Sequence, residues 1–218
     1  MAFELTKPLL DNLRADVAQG RDSAIQAVLG EFHPADVAAL IDRLALDEAV
    51  YVYRLLEGEV AADVLIELNE DLREDLLNSL TSREIAEDVL EHIDSDDAAD
   101  VMADLSEDKQ REVIALLDDQ EQREDIQELL TYAEGTAGAL MAKELISVRN
   151  DWNVARAIVD MRRQAREVEH VYTVYVVDKD DQLMGILPLK DLLFSAESTR
   201  TLIKHICETD VVSVNTDT

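Results

Sequence analysis

Basic side chains are scarce in this chain: 20 Lys and Arg stand against 49 Asp and Glu, a net charge of −29. Nucleic acid and anionic lipid headgroups bind proteins through Lys and Arg against phosphate, so this acidic surface repels both, and cations and basic partners are favoured. Cysteine occurs once, as Cys207, which rules out an intramolecular disulfide and fits a reducing compartment. No uninterrupted apolar stretch reaches the roughly 18 to 20 residues that span a bilayer, so the chain as written reads as soluble. Asp11, Arg14 and Asp16 interrupt any apolar run near the N-terminus, and no signal peptide is expected there.

Catalytic patterns are missing as well. His33, His92, His170 and His205 are scattered, no Gly-x-Ser-x-Gly elbow or glycine-rich phosphate loop occurs, and Cys207 has no evident base. Counting from Asp94, an EF-hand would place an acid or amide fifth, glycine sixth and glutamate twelfth, where this chain has Ala98, Ala99 and Leu105. The expectation is a protein that is not an enzyme and does not sense calcium through such a loop.

What the chain has is negative charge, unevenly spread. Residues 1 to 139 carry 36 acidic and 10 basic side chains, net −26, whereas 140 to 218 carry 13 and 10, net −3. Hydrophobic residues make up 47% of the chain, an ordinary globular share, so the acids coat a folded core. A length of 218 residues allows two modest domains.

From about residue 33 the sequence repeats itself. A large aliphatic closes each unit at Leu44, Leu56, Leu68, Leu80, Ile93, Leu105, Leu117 and Leu129, at steps of 12 and once 13. At about 3.6 residues per turn, such a unit holds a short helix and a tight corner. A single short helix is marginal, so neighbours must stack to bury their apolar stripes. The fold expected here is an all-α right-handed superhelix of short helical repeats. Helix starts are expected at Asp47-Glu48, Thr81-Ser82 with Glu84, Asp94 with Asp97, and Ser106 with Glu107. Ala-Asp-Val recurs at Ala35-Asp36-Val37, Ala62-Asp63-Val64 and Ala99-Asp100-Val101, which places these acids at equivalent points of successive helices.

The stretch Asp94-Ser95-Asp96-Asp97-Ala98-Ala99-Asp100 concentrates this charge. Residues four apart share a helix face, so Asp96 and Asp100 point together. Ala98 and Ala99 are expected to keep the neighbouring surface thin enough for a second domain to approach. Most acids of such an array simply solvate its outside. Crowded like charges nevertheless repel, and a bound cation relieves that cost.

The rhythm ends at Glu134-Gly135-Thr136-Ala137-Gly138, where two glycines mark a break. The domains expected are 1–134, then a small α+β module over 135–200, then the start of a truncated second copy over 201–218. Within the module the pattern reads as a strand Leu145–Val148, a helix Val154–Gln164 opened by Asn150, Asp151 or Asn153, strands His170–Val177 and Leu183–Leu187, and a helix Leu189–Ser195. The second copy would open with a helix at Ile203-Lys204-His205-Ile206 and a strand at Val211–Val214.

This module resembles a CBS domain, through Leu140-Met141 leading to Ile146-Ser147-Val148, the strand Val174–Asp178, and Leu183-Met184-Gly185-Ile186-Leu187 running into Asp191. The whole arrangement resembles the cytosolic part of the MgtE family of magnesium channels and transporters. His33-Pro34-Ala35-Asp36, Asp94 to Asp100, and Glu134 to Met141 carry that likeness, although Gly135 and Ala142 depart from the family's junction, which has Asp and Thr there. The resemblance implies that cytosolic Mg²⁺ bridges the acidic domain and the CBS domains and holds a compact, closed-pore state. By motif position the metal ligands would be Asp63, Asp96, Asp100 and the main-chain carbonyl of Ala139, with further acids in the second CBS motif. It also implies a homodimer through the CBS domains, a transmembrane pore of the same protein, and a place on the cytoplasmic face of the inner membrane.

ATP or ADP is a weaker implication. Asp191 would accept from a ribose hydroxyl with Lys190 beside it, but Pro188 stands where CBS motifs place Ser or Thr and supplies neither hydroxyl nor N–H. Two other readings remain open at this point: a stand-alone CBS sensor of adenine nucleotides, and a protein-binding helical scaffold like that of flagellar motor-switch proteins.

Overall fold

The computed structural model describes residues 5–166, 168, 171, 173–194 and 198–218. The chain divides into two compact units between Glu134 and Gly135.

The first unit contains α1 (Lys7–Ala18), α2 (Asp22–Leu29), α3 (Pro34–Ile41), α4 (Leu46–Tyr53), α5 (Gly58–Glu67), α6 (Glu70–Ser79), α7 (Ser82–Asp88), α8 (Ser95–Ala103), α9 (Glu107–Leu116) and α10 (Gln120–Leu129). A 3-10 turn, Leu90–His92, lengthens the corner after α7. From α3 onward the helices start 12 or 13 residues apart, the spacing that the closing aliphatics mark. Leu68, Leu80, Leu105, Leu117 and Leu129 are buried at these corners, and Leu44, Leu56 and Ile93 pack half-buried against the same core. The array begins earlier than residue 33: α1 and α2 place Leu13, Ile25 and Leu29 in its core.

Packing runs between alternate helices. α3 lies on α5, α4 on α6, α5 on α7, α7 on α9 and α8 on α10. Polar side chains tie the same levels together by donating to carbonyls at or just past helix C-termini, which have no partner within their own helix. Arg14 donates to the Arg43 carbonyl at 2.6 Å and Gln26 to that of Leu55 at 3.1 Å. Lys109 Nζ reaches the carbonyls of both Leu77 and Leu80 at 2.7 Å.

Helix starts follow local chemistry. Thr81 Oγ1 accepts from the Glu84 N–H while Glu84 returns to the Thr81 N–H at 2.7 Å, a reciprocal cap. α4 differs from expectation, since its N-cap is Ala45 and Asp47-Glu48 fall inside the first turn. Glu48 replaces the missing cap side chain by accepting from the Ala45 N–H at 3.1 Å.

The second unit contains β1 (Ile146–Arg149), α11 (Val154–Gln164), β2 (Val174–Val177), β3 (Leu183–Leu187) and α12 (Leu189–Phe194), followed by a 3-10 turn at Ile203–His205. The sheet order is β1-β2-β3, with β1 parallel and β3 antiparallel to β2. Asn153 opens α11 by accepting from the Arg156 N–H at 2.9 Å. Gln164, at the end of α11, exchanges two hydrogen bonds with the backbone of Ser147 and so occupies part of the free edge of β1. Alternate residues Ile146, Val148, Val174 and Val176 meet Ala157 and Leu187 in the core.

Several expectations shift here. β2 pairs from Val174; His170 and Ser195 lie outside the described residues. Val211–Val214 is not a strand, and Val212 is 93% exposed. A strand needs a ladder partner, and among the described residues this segment has none. The expected opening helix at 203–206 is only the 3-10 turn. Its neighbours are bonded to the first module: the Ile203 N–H donates to the Trp152 carbonyl, and Glu208 exchanges backbone bonds with Ile186 at 2.8 and 2.9 Å. Gly185 permits that contact, because a Cβ there would overlap the Glu208 carbonyl oxygen and lie 3.1 Å from its carbon.

Candidate metal centre

α8 carries the densest acids of the first unit. Ser95, Ala98, Ala99, Val101 and Met102 are buried, so they fix which side of the helix turns inward. This corrects one expectation: Ala98 and Ala99 belong to the unit's own core and do not thin its outer surface. Small side chains there let neighbouring elements approach α8 closely, which is a packing role.

Asp96 and Asp97 are half-buried and Asp100 is exposed. Burial, then the neighbouring charges of Asp96, Asp100 and Asp94, push the Asp97 carboxyl up to about 6, against the opposing pull of Arg73. Asp100 is also raised. Partial burial is the main cause, Arg73 opposes it, and Asp96, Asp104 and Glu134 add to it. Arg73 on α6 is meanwhile bonded through Nε to Asp104 Oδ2 at 2.6 Å. One guanidinium therefore faces several carboxylates, and the face remains short of positive charge.

The structure brings Asp96 and Asp100 onto one face of α8, as their spacing requires. Asp63 stands half-buried on α5, whose main neighbours are α3, α7 and the 3-10 turn at Leu90–His92. Ala139 belongs to the second unit, where its N–H donates to the Thr136 carbonyl at 3.1 Å. Lys190 and Asp191 lie on α12, which begins as Pro188 accepts from the Asp191 and Leu192 N–H groups at 2.9 and 3.1 Å. Among the described residues no group of three or more His, Cys, Asp or Glu side chains is arranged to hold a metal ion. Sequence reading assigned no metal role to Asp97, and it missed Arg73 and Asp104. The Arg73–Asp104 pair spans 31 residues, and no local pattern marks it.

Carboxylate oxygens suit a hard divalent cation such as Mg²⁺, which takes one or two of them and keeps several waters. The carboxylates of α8 are of that donor type, and burial first, then neighbouring negative charge, raises Asp97 and Asp100.

The family model of the MgtE intracellular N domain matches residues 32–135, and that of the CBS domain matches residues 137–197. A crystal structure of the cytosolic domain of the Mg²⁺ channel MgtE in complex with ATP superposes with a TM-score of 0.83 at 33% identity, covering 96% of this chain and 84% of that one. The chain belongs to the MgtE family. A second crystal structure, of the soluble part of a magnesium transporter, matches with a TM-score of 0.74 at 27% identity over 94% of this chain and 79% of the other. The magnesium transporter MgtE of Thermus thermophilus is 32% identical over 98% of this chain, and the chain spans 47% of that relative's length. MgtE of Enterococcus faecalis is 39% identical over 41% of this chain and 19% of its own length. The helical first unit and the CBS unit are those of the MgtE family's cytosolic region. No helix among the described residues is long and apolar enough to cross a membrane.

Proposed function

We propose that this chain is the Mg²⁺-sensing part of a magnesium channel or transporter whose remaining length forms a membrane pore and which dimerises through its CBS domains. Mg²⁺ bound to Asp63, Asp96 and Asp100, with the Ala139 carbonyl and acids of the CBS domains, holds the cytosolic region in a compact form that keeps the pore shut. The supporting observation is the crowded acidic face of α8, where burial first and neighbouring negative charges second raise Asp97 and Asp100 against the pull of Arg73. Without metal such acids repel across any interface they join. With metal the sign reverses, and a cation that binds only the compact state stabilises it by about 1.4 kcal/mol for each tenfold excess over its Kd.

Limited proteolysis of the intact cytosolic region tests this. Millimolar Mg²⁺ slows cleavage, and the double variant Asp96→Ala, Asp100→Ala loses most of that protection; equal protection in the double variant defeats the ligand assignment.

A second reading concerns nucleotide. The relative whose cytosolic domain was solved with ATP is 33% identical to this chain, and it motivates ATP or ADP binding near Lys190 and Asp191. Pro188 removes a hydroxyl and an N–H from that position. Calorimetric titration with ATP of the wild type and Asp191→Ala decides the matter, since an unchanged affinity removes Asp191 from any nucleotide site.

A further inference from the structure

Arg73 belongs to α6, and its guanidinium reaches the end of α8 at Asp104, Nε to Oδ2 at 2.6 Å. Both side chains are half-buried, so water and salt screen the pair less than an exposed one. The contact fixes where one positive charge stands on α8. Asp97, Asp100 and Asp104 follow one another at three and four residues, a spacing that puts all three on one face of the helix. A guanidinium anchored at Asp104 therefore stands beside the stripe that carries Asp100.

Its field favours the ionised forms of both Asp97 and Asp100, against the burial and like charge that raise them. Arg keeps its proton at every pH a folded protein meets, so this charge is permanent. A positive side chain already in place needs no recruitment from solution, and it repels any dissolved cation that approaches the same carboxylates.

We propose that Arg73 is the resident counter-ion of the α8 face and holds its Mg²⁺ affinity low, with Asp104 as the anchor that confines its charge to one end of the stripe. The inference rests on the reading of Asp96 and Asp100 as Mg²⁺ ligands. Removing the guanidinium leaves the carboxylates to the metal. Removing Asp104 releases the guanidinium toward Asp100 and Asp97. The two changes therefore move metal affinity in opposite directions, which loss of packing alone does not do. A weak site suits a switch, because it empties when the ion becomes scarce.

Titration of the whole chain with magnesium chloride, read by nuclear magnetic resonance of the α8 backbone amides, tests this. The wild type should show a saturable shift that the double variant Asp96→Ala, Asp100→Ala abolishes. Arg73→Gln should bind Mg²⁺ about three- to tenfold more tightly, Arg73→Lys should stay closer to the wild type, and Asp104→Asn should bind more weakly. Should Arg73→Gln fail to fold, the double variant Arg73→Gln, Asp104→Asn leaves neither charge unpaired, and it should bind more tightly than Asp104→Asn alone. Equal or weaker binding in Arg73→Gln, an Arg73→Lys that matches Arg73→Gln, or equal binding in Asp104→Asn and the double variant overturns the counter-ion role and leaves the Mg²⁺ site standing. A wild type without a saturable shift, or a shift that survives Asp96→Ala, Asp100→Ala, overturns the Mg²⁺ reading and this inference with it.

Discussion

Arg73 and Asp104 pair across 31 residues of sequence, Nε to Oδ2 at 2.6 Å, with side chains only 19% and 17% exposed. The pair ties α6 to the end of α8. Arg73 is also an opposing charge that Asp97 and Asp100 share. Arg73→Met leaves Asp104 without its partner and deepens the repulsion on α8. A loss of about 2 kcal/mol is expected in urea denaturation with chelator present, below the full cost of breaking a buried pair because some solvent screens it. Added Mg²⁺ should restore more stability to this variant than to the wild type, and an equal Mg²⁺ increment in both would separate the pair from the acidic face.

Asp97→Asn removes one charge from the crowd without changing the side chain's shape. Burial and like charges disfavour the ionised form of Asp97, so at pH 7 without metal the variant should be more stable, by roughly 0.5 to 1 kcal/mol after allowing for its solvent contact. Thermal denaturation in chelator reads this directly. A lower midpoint than wild type would show that the carboxylate supports the fold.

Glu84 gives a pH dependence of the opposite sense. Its hydrogen bonds with Thr81 hold the carboxyl below the ordinary 4.5, helped by Arg54. A depressed carboxyl contributes stability that is present above its unfolded value and is lost as pH falls through the folded one. Denaturation midpoints followed downward from pH 7 should therefore decline on the acid side of about 4.5, and Glu84→Gln should flatten that part of the curve. Thr81→Ala, which removes the other half of the cap, should cost about 1 kcal/mol at neutral pH.

Gly185→Ala tests the strap on the CBS unit. The added methyl would collide with the Glu208 carbonyl, a backbone group that cannot rotate away. The paired bonds between Ile186 and Glu208 should break, and hydrogen exchange at those two amides should quicken strongly. Amides of the first unit should keep their protection, and a uniform change in both units would contradict a local effect.

Much of the architecture was legible in the sequence because short-range rules set it. The 12-residue rhythm of closing aliphatics located each corner from α3 to α10, since a short helix and its turn depend on neighbours in the chain. The start of α11 was legible from Asn150, Asp151 and Asn153, of which Asn153 is the cap, and the Thr81–Glu84 cap from its three-residue spacing. Asp96 and Asp100 share a face by helix geometry alone. Val211–Val214 shows the limit, because β propensity without a ladder partner makes no strand.

Tertiary structure decided what lies farther apart. Which helices stack, that Arg73 meets Asp104, that Ala98 and Ala99 turn inward, and that Tyr53 is buried all depend on packing between helices in different repeats. Side-chain reach across 25 to 32 residues leaves no periodic mark in the chain. The acidic composition favoured cations over nucleic acid as partners, but only the burial of α8 selected which carboxylates carry the strain of like charge, because repulsion grows where water is excluded.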